Sequence, residues 1–101
     1  MAFASTRELC LAARADGYAV PAVNIVDGLS IASAVKAADS VGSPIILQTS
    51  VKTVQYFGAA VLASAAQAAA DAASVPVALH LDHCPQRAVI TEAIAHGWSS
   101  V

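Results

Sequence analysis

Positive charge is scarce in this chain. Five Lys and Arg stand against seven Asp and Glu, a formal net charge of −2, and no basic stripe emerges. Nucleic acid and anionic membrane surfaces therefore have no electrostatic footprint to bind, and neither is expected as a partner. Aromatic residues make up only 5% of the chain, so large anchors for an independent core are few. Cys10 and Cys84 lie far apart without CxxC spacing, which argues for two free thiols in a reducing cytosol rather than a disulfide framework. Arg7 and Glu8 interrupt the start before any continuous apolar run, so no secretory signal is expected and the chain reads as cytoplasmic. The longest low-polarity stretch, Tyr56 to Ala73, is mostly alanine and is broken by Gln67 and Asp71, which suits a packed helix better than a membrane span. No GxGxxG follows the first expected strand and no Walker sequence occurs, so dinucleotide and nucleoside triphosphate sites lose their usual support.

What the chain does have is apolar bulk: 57% hydrophobic residues with 12% charged, a mixture that must bury most of its length. Ser5-Thr6-Arg7-Glu8 can open a helix as a capping box, running to about Asp16 and stopping at Gly17. Tyr18 to Ile25 reads as a buried strand if Pro21 falls at its start or beside a bulge. Asp27 or Ser30 can cap a second helix with Ile31, Val35 and Ala38 on its apolar face and Gly42 as its stop. Ile45 to Leu47 is a short apolar strand, Gln48 to Thr53 a polar loop, and an alanine-rich helix follows. Val77 to Leu81 is the third strand. Pro85 suits the first position of another helix, Gly97 closes it, and Trp98 to Val101 resembles the opening of a fourth strand.

Strands thus begin near positions 18, 45, 77 and 98 with helices between, the alternation of a parallel α/β sheet. They are continuously apolar, which implies burial on both faces, as in a doubly wound sheet or the inner wall of a (β/α)8 barrel. A complete barrel needs about 250 residues. The expectation is therefore the N-terminal portion of a (β/α)8 TIM barrel, about three βα units and the start of a fourth strand, forming one truncated domain over residues 1–101.

Polar residues recur where each strand ends: Asn24 near the end of the first, Gln48 and Ser50 after the second, Asp82 with His83 after the third. Right-handed crossovers bring these ends to one rim, where such folds place their chemistry. Two readings fit the Asp82-His83 pair. His83 could ligate zinc while Asp82 moves a proton to or from a substrate hydroxyl. Alternatively, Asp82 simply favours the positive end of the following helix and His83 is an ordinary loop residue. Asn24 and Gln48 could equally satisfy backbone groups at the turns, and Ser50 could only cap a helix. His80 suits a hydrogen-bonded interior histidine, His96 a helix C-terminus, and Cys84 a small partly buried thiol. Tyr56 and Phe57 read as packing residues.

Taken in order, these motifs resemble those of the class II, zinc-dependent ketose-bisphosphate aldolases, a family of (β/α)8 barrels that includes fructose- and tagatose-bisphosphate aldolases. The resemblance rests on Ser5-Thr6-Arg7-Glu8-Leu9, on Gly17-Tyr18-Ala19-Val20-Pro21-Ala22-Val23-Asn24 and on Ser43-Pro44-Ile45-Ile46-Leu47-Gln48-Thr49-Ser50. It continues through Leu79-His80-Leu81-Asp82-His83 and Gly97-Trp98-Ser99-Ser100-Val101, so it spans the whole chain. Many relatives carry Gly at the position of Cys84, and others also have Cys.

The resemblance implies that Asp82 is the catalytic proton donor and acceptor, that His83 is a ligand of Zn2+, that Ser50 contacts a phosphorylated sugar, and that Asn24 helps organise that site. It implies a homo-oligomeric parent that cleaves a ketose 1,6-bisphosphate to dihydroxyacetone phosphate and glyceraldehyde 3-phosphate. The other zinc histidines, the second acid/base and the phosphate-binding loops would lie beyond Val101. Two classes of function follow for the 101 residues themselves: the N-terminal part of a lyase, or a non-enzymatic remnant, either unfolded or held by another chain.

Overall fold

The computed structural model describes residues 3–101. Helix α1 (Thr6–Asp16) begins at Ser5, whose hydroxyl accepts the Glu8 N–H at 3.4 Å, and ends at Gly17 in the left-handed region with φ 74°. Its apolar side is short: Leu9 and Ala13 are buried. Strand β1 (Ala22–Asn24) is much shorter than the expected run from Tyr18 to Ile25, and all three of its residues are exposed. The reason is position, for β1 is an edge strand that pairs only with β2, and Pro21 sits just before it. The Pro21 carbonyl still accepts the Ile46 N–H at 2.9 Å, while its ring removes the N–H that would donate back, so regular pairing begins only after it.

Helix α2 (Gly28–Val41) starts with both halves of a capping box. The Ser30 N–H donates to Asp27 Oδ1 at 2.8 Å, and Ser30 Oγ accepts the Asp27 N–H at 3.0 Å. Ile31, Val35 and Ala38 form its buried stripe, as their spacing predicts. Strand β2 (Ile45–Thr49) runs two residues further than expected, taking in Gln48 and Thr49, because each pairs with a residue of β3. Ser50 then caps a short helix α3 (Val51–Phe57), so the predicted polar loop is absorbed into strand and helix. The alanine-rich segment is not one helix with its preceding turn: Gly58, at φ 91° and ψ 140°, separates α3 from α4 (Ala59–Ala72) in a conformation open to glycine.

Strand β3 (Val77–Leu81) has the predicted bounds. Helix α5 (Arg87–Ala95) starts two residues after Pro85, with Gln86 at its N-cap. The segment after Gly97 makes one parallel bridge, His80 with Ser100, extended by the Leu81 N–H to Ser100 O bond at 3.0 Å and the Ser99 N–H to Leu79 O bond at 2.9 Å.

The sheet is parallel in the order β1-β2-β3, with the Ser100 segment beside β3. Alternation along the strands divides it into two faces. Ile45, Leu47, Val77, Leu79 and Leu81 pack against α2, α4 and α5 in the main core, together with Trp98. Ile46 and Ala78 face the other way, where Leu9 of α1 covers them. All crossover helices thus share one face, and α1 lies across the inner one, the two-sided cover anticipated from the continuous apolar strands.

Leu47 is fully buried at the centre of this sheet. Leu47→Ala is expected to cost about 2–5 kcal/mol, read as a lowered urea midpoint for the intact protein. The Asp27 carboxyl is held below the ordinary carboxylate range first by the Ser30 N–H bond and then by the Ser30 hydroxyl. Because its folded value lies below the unfolded one, its contribution is complete above the ordinary carboxylate range and disappears as pH falls through the folded value. Asp27→Asn, which keeps a capping oxygen, is expected to flatten the acid side of a stability-versus-pH profile.

Candidate active site

Where β3 ends, the chain turns sharply. The Asp82 N–H donates to Thr49 O at 2.9 Å, a last rung of the β2–β3 ladder that fixes the backbone under its carboxylate. His83 follows with φ 50°, the one described non-glycine residue in the left-handed region. That conformation is uncommon for a side-chain-bearing residue and marks an abrupt change of direction. Its imidazole is 94% exposed, with Nε2 3.6 Å from Asp82 Oδ2. On the other side His80 Nε2 stands 3.7 Å from Asp82 Oδ1, both side chains being partly buried at 24% and 30% exposure. Asp82 is therefore flanked by two imidazoles at ion-pair range, longer than a hydrogen bond.

His80 belongs to the inner face. The ladder aligns Asn24 with Gln48 and Gln48 with His80, and the bridge aligns His80 with Ser100, so four polar residues occupy one level across the sheet. Gln48 Nε2 donates to Asn24 Oδ1 at 2.7 Å. His80 Nδ1 meets Ser100 Oγ at 2.7 Å, Ser100 Oγ donates to Thr6 Oγ1 at 2.8 Å, and Thr6 Oγ1 lies 2.9 Å from Ser99 Oγ. Gln48, His80 and Ser100 are half-buried and Asn24 is exposed, and each has a side-chain partner.

Of the four residues singled out by sequence, Asp82 and His83 come together. Asn24 and Ser50 stand on the same rim at the ends of β1 and β2, each engaged locally: Asn24 with Gln48, and Ser50 with the Thr53 N–H at 3.4 Å and the Thr53 hydroxyl at 3.2 Å. Ser50 thus has the capping geometry that its position allowed, with its hydroxyl at the N-terminus of α3. His80 is the interior hydrogen-bonded histidine anticipated above, but its connection to Thr6, 94 residues from Ser100, has no local signal in the sequence. Cys84 Sγ donates to Gln86 O at 3.4 Å and remains a free, partly buried thiol.

Among the described residues, no three His, Cys, Asp or Glu side chains converge on a point that could hold a metal ion. The donor set fits a contribution to such a site rather than a whole one. A catalytic zinc takes three protein ligands; His83 presents an exposed imidazole, and His80 Nε2 is half-buried beside the Asp82 carboxylate. A hollow of about 510 Å³ lined by Phe3, Ser64, Gln67 and His96 shares none of the residues of this rim. No helix among the described residues is long and apolar enough to cross a membrane.

Thr49 completes the picture beneath the rim. Its hydroxyl is fully buried, and Oγ1 has no hydrogen-bond partner among the described residues.

Comparison with known proteins matches residues 4–101 to the family described as fructose-bisphosphate aldolase class-II. The plasmid fructose-bisphosphate aldolase of Cupriavidus necator is 38% identical over 102 residues, covering 100% of this chain and 30% of that protein. The sulfofructosephosphate aldolase of Alkalicoccus urumqiensis is 32% identical over 101 residues, covering 100% of this chain and 35% of that protein. Among solved structures, the YdjI aldolase of Escherichia coli K12 superposes with a TM-score of 0.84 at 25% identity, over 95% of this chain and 38% of that one. The chain spans about a third of the length of the relatives it matches, and its three βα units are those of an aldolase TIM barrel.

Because a buried hydroxyl without a partner costs stability that an isosteric methyl group does not, Thr49→Val is expected to raise the stability of the intact protein by about 1 kcal/mol. A denaturant titration of the two proteins measures it, and an equal loss would show that the hydroxyl has a partner.

Proposed function

The chain belongs to the class II fructose-bisphosphate aldolase family, and from that membership we propose that its 101 residues are the N-terminal βα units of a zinc-dependent aldolase domain acting on a ketose 1,6-bisphosphate. The observation that carries this reading is the Asp82 carboxylate, anchored through its backbone to Thr49 and set between two imidazoles at the C-terminal ends of parallel strands. A carboxylate held there can take the proton of a substrate hydroxyl and return it.

In the cleavage direction Asp82 accepts the proton of the C4 hydroxyl. The C4–O bond becomes a carbonyl, the C3–C4 bond breaks, and its electron pair stays on the three-carbon ketose phosphate. Glyceraldehyde 3-phosphate departs, and protonation at C3 yields dihydroxyacetone phosphate. In the synthetic direction Asp82 donates the proton to the forming hydroxyl. Zinc, when bound, supplies a Lewis acid that polarises the substrate ketone and offsets the negative charge that develops beside it. His83 is the residue of this chain that would hold it, and the other donors would come from outside residues 1–101. Ser50, whose hydroxyl is exposed at the start of α3, would contact the substrate, while Asn24, braced by Gln48, would organise the polar wall below it.

A sulfofructosephosphate aldolase also stands among the relatives, so a sulfofructose phosphate is the second substrate to test. The chemistry at Asp82 is the same for both.

In the intact protein, aldol cleavage is expected to stop on chelation and return with added zinc, assayed by trapping the released aldehyde. Asp82→Ala should lower kcat by about 10²–10⁴-fold, and His83→Ala should lower the zinc content measured after dialysis. Turnover that persists without metal would exclude the mechanism. The 101-residue chain expressed alone is expected to show no cleavage, because an open edge at β1 and the lack of three converging donors among the described residues leave both the wall and the metal site incomplete.

A further inference from the structure

The turn that carries His83 is tied down at both ends. At its start the Asp82 N–H donates to Thr49 O at 2.9 Å. At its end stands Gln86, the N-cap residue of α5, whose side chain makes no capping bond to its own helix. An N-cap side chain ordinarily satisfies one of the first free N–H groups of the helix it opens. The Gln86 carboxamide reaches across to α3 instead, where Gln55 Nε2 donates to Gln86 Oε1 at 2.9 Å over a sequence separation of 31 residues. Helix α3 is a firm post for this bond, because Val54, next to Gln55, is buried in the main core. Val89 and Ala93 seat α5 in the same way. Between the two tethers Cys84 rests against the core, and its thiol donates to Gln86 O at 3.4 Å. His83 is left as the residue that projects from the turn, with φ 50° and a side chain 94% exposed.

We propose that the Gln55–Gln86 amide pair is a latch between α3 and the His83 turn, and that Gln55 is a positioning residue for the metal ligand. The proposal rests on the reading of His83 as a ligand of zinc. A turn must be ordered when its imidazole takes up a metal, and a turn that is already held loses less freedom in doing so. Both amides are exposed, so water competes for the bond, and its effect on metal affinity is that of one ordinary surface hydrogen bond. Ser50 caps the same helix α3, so the latch also sets the spacing between the proposed substrate contact and the proposed metal ligand.

Zinc binding to the intact protein, measured by competition with a chelating dye, tests the latch without turnover. Gln55→Met keeps a long, helix-compatible side chain but removes the donor, and is expected to weaken zinc binding on the order of threefold to tenfold. In the metal-free protein, amide hydrogen exchange at Cys84 and Gln86 should quicken by a similar factor. Gln86→Glu keeps an acceptor for Gln55 and should bind zinc at least as tightly as the unaltered protein, whereas in the Gln55→Met background it should recover nothing. Ser40→Ala removes a 2.8 Å bond to Ala37 O near the end of α2 and should leave zinc binding unchanged. Zinc affinity unmoved by Gln55→Met, or lowered equally by Ser40→Ala, would overturn the positioning role. Amide exchange unmoved by Gln55→Met would overturn the latch, as would an equal gain from Gln86→Glu with and without Gln55, the signature of charge alone. Zinc binding unmoved by His83→Ala would overturn the proposed metal role of His83 and the effect on affinity with it, while amide exchange would still decide whether the latch holds the turn.

Discussion

The parallel register of β2 against β3 is the constraint on which the site depends. Gln48 pairs with His80 and Thr49 with Leu81, so one face of each strand looks toward α1 and the other toward the crossover helices. Strand side chains alternate with a period of two, and a slip of one residue would exchange those faces. His80 would then enter the apolar layer occupied by Leu79 and Leu81, and the bond from the Asp82 N–H to Thr49 O would be lost. The hydrophobic core and the rim chemistry are consequences of the same set of backbone hydrogen bonds.

Polar residues on this framework fall into two groups with different energetics. Asn24, Gln48, His80 and Ser100 lie within or beside the ladder and are held by short side-chain bonds. Asp82, His83 and Ser50 stand just past the strand ends, where backbone turns and a helix N-terminus place them and solvent still reaches them. Gln48, His80 and Ser100 of the inner group are half-buried, Asn24 at its edge is exposed, and their mutual bonds let the row serve as a floor. The outer group keeps the exposure that a ligand would need. Such a division between rigid support and open loop is what a site at the end of a parallel sheet requires.

Small residues make the outer layer compact. Ala59, Ala66 and Ala70 of α4 and Ala93 of α5 are almost wholly buried, which lets the helix backbones approach the sheet and each other closely. Trp98 fills the space that alanines leave, and its indole N–H donates to Ala59 O at 3.3 Å. A chain with few aromatic residues has thus placed its lone tryptophan where α4, α5 and the final segment meet. Val23 on β1 and Val41 at the end of α2 remain exposed on the edge side of the sheet.

The elements best read from sequence are those with local signals. Ser5 and Gly17 bracket α1, Asp27 and Gly42 bracket α2, and the run Val77 to Leu81 is a strand of the expected bounds. These features follow from capping, left-handed glycine and apolar continuity, which need only neighbours in the chain. The strand ends likewise single out Asp82, His83, Ser50 and Asn24 as candidates, because polar residues there follow apolar runs. Tertiary structure alone shortened β1, because an edge strand lacks a second partner, and extended β2 through Gln48 and Thr49, because β3 supplied theirs. It alone brought Thr6 to Ser100, beside the His80 ring. A residue type can announce the chemistry it is able to perform, but the orientation of an imidazole and the company of a carboxylate depend on contacts between segments that the linear order keeps far apart.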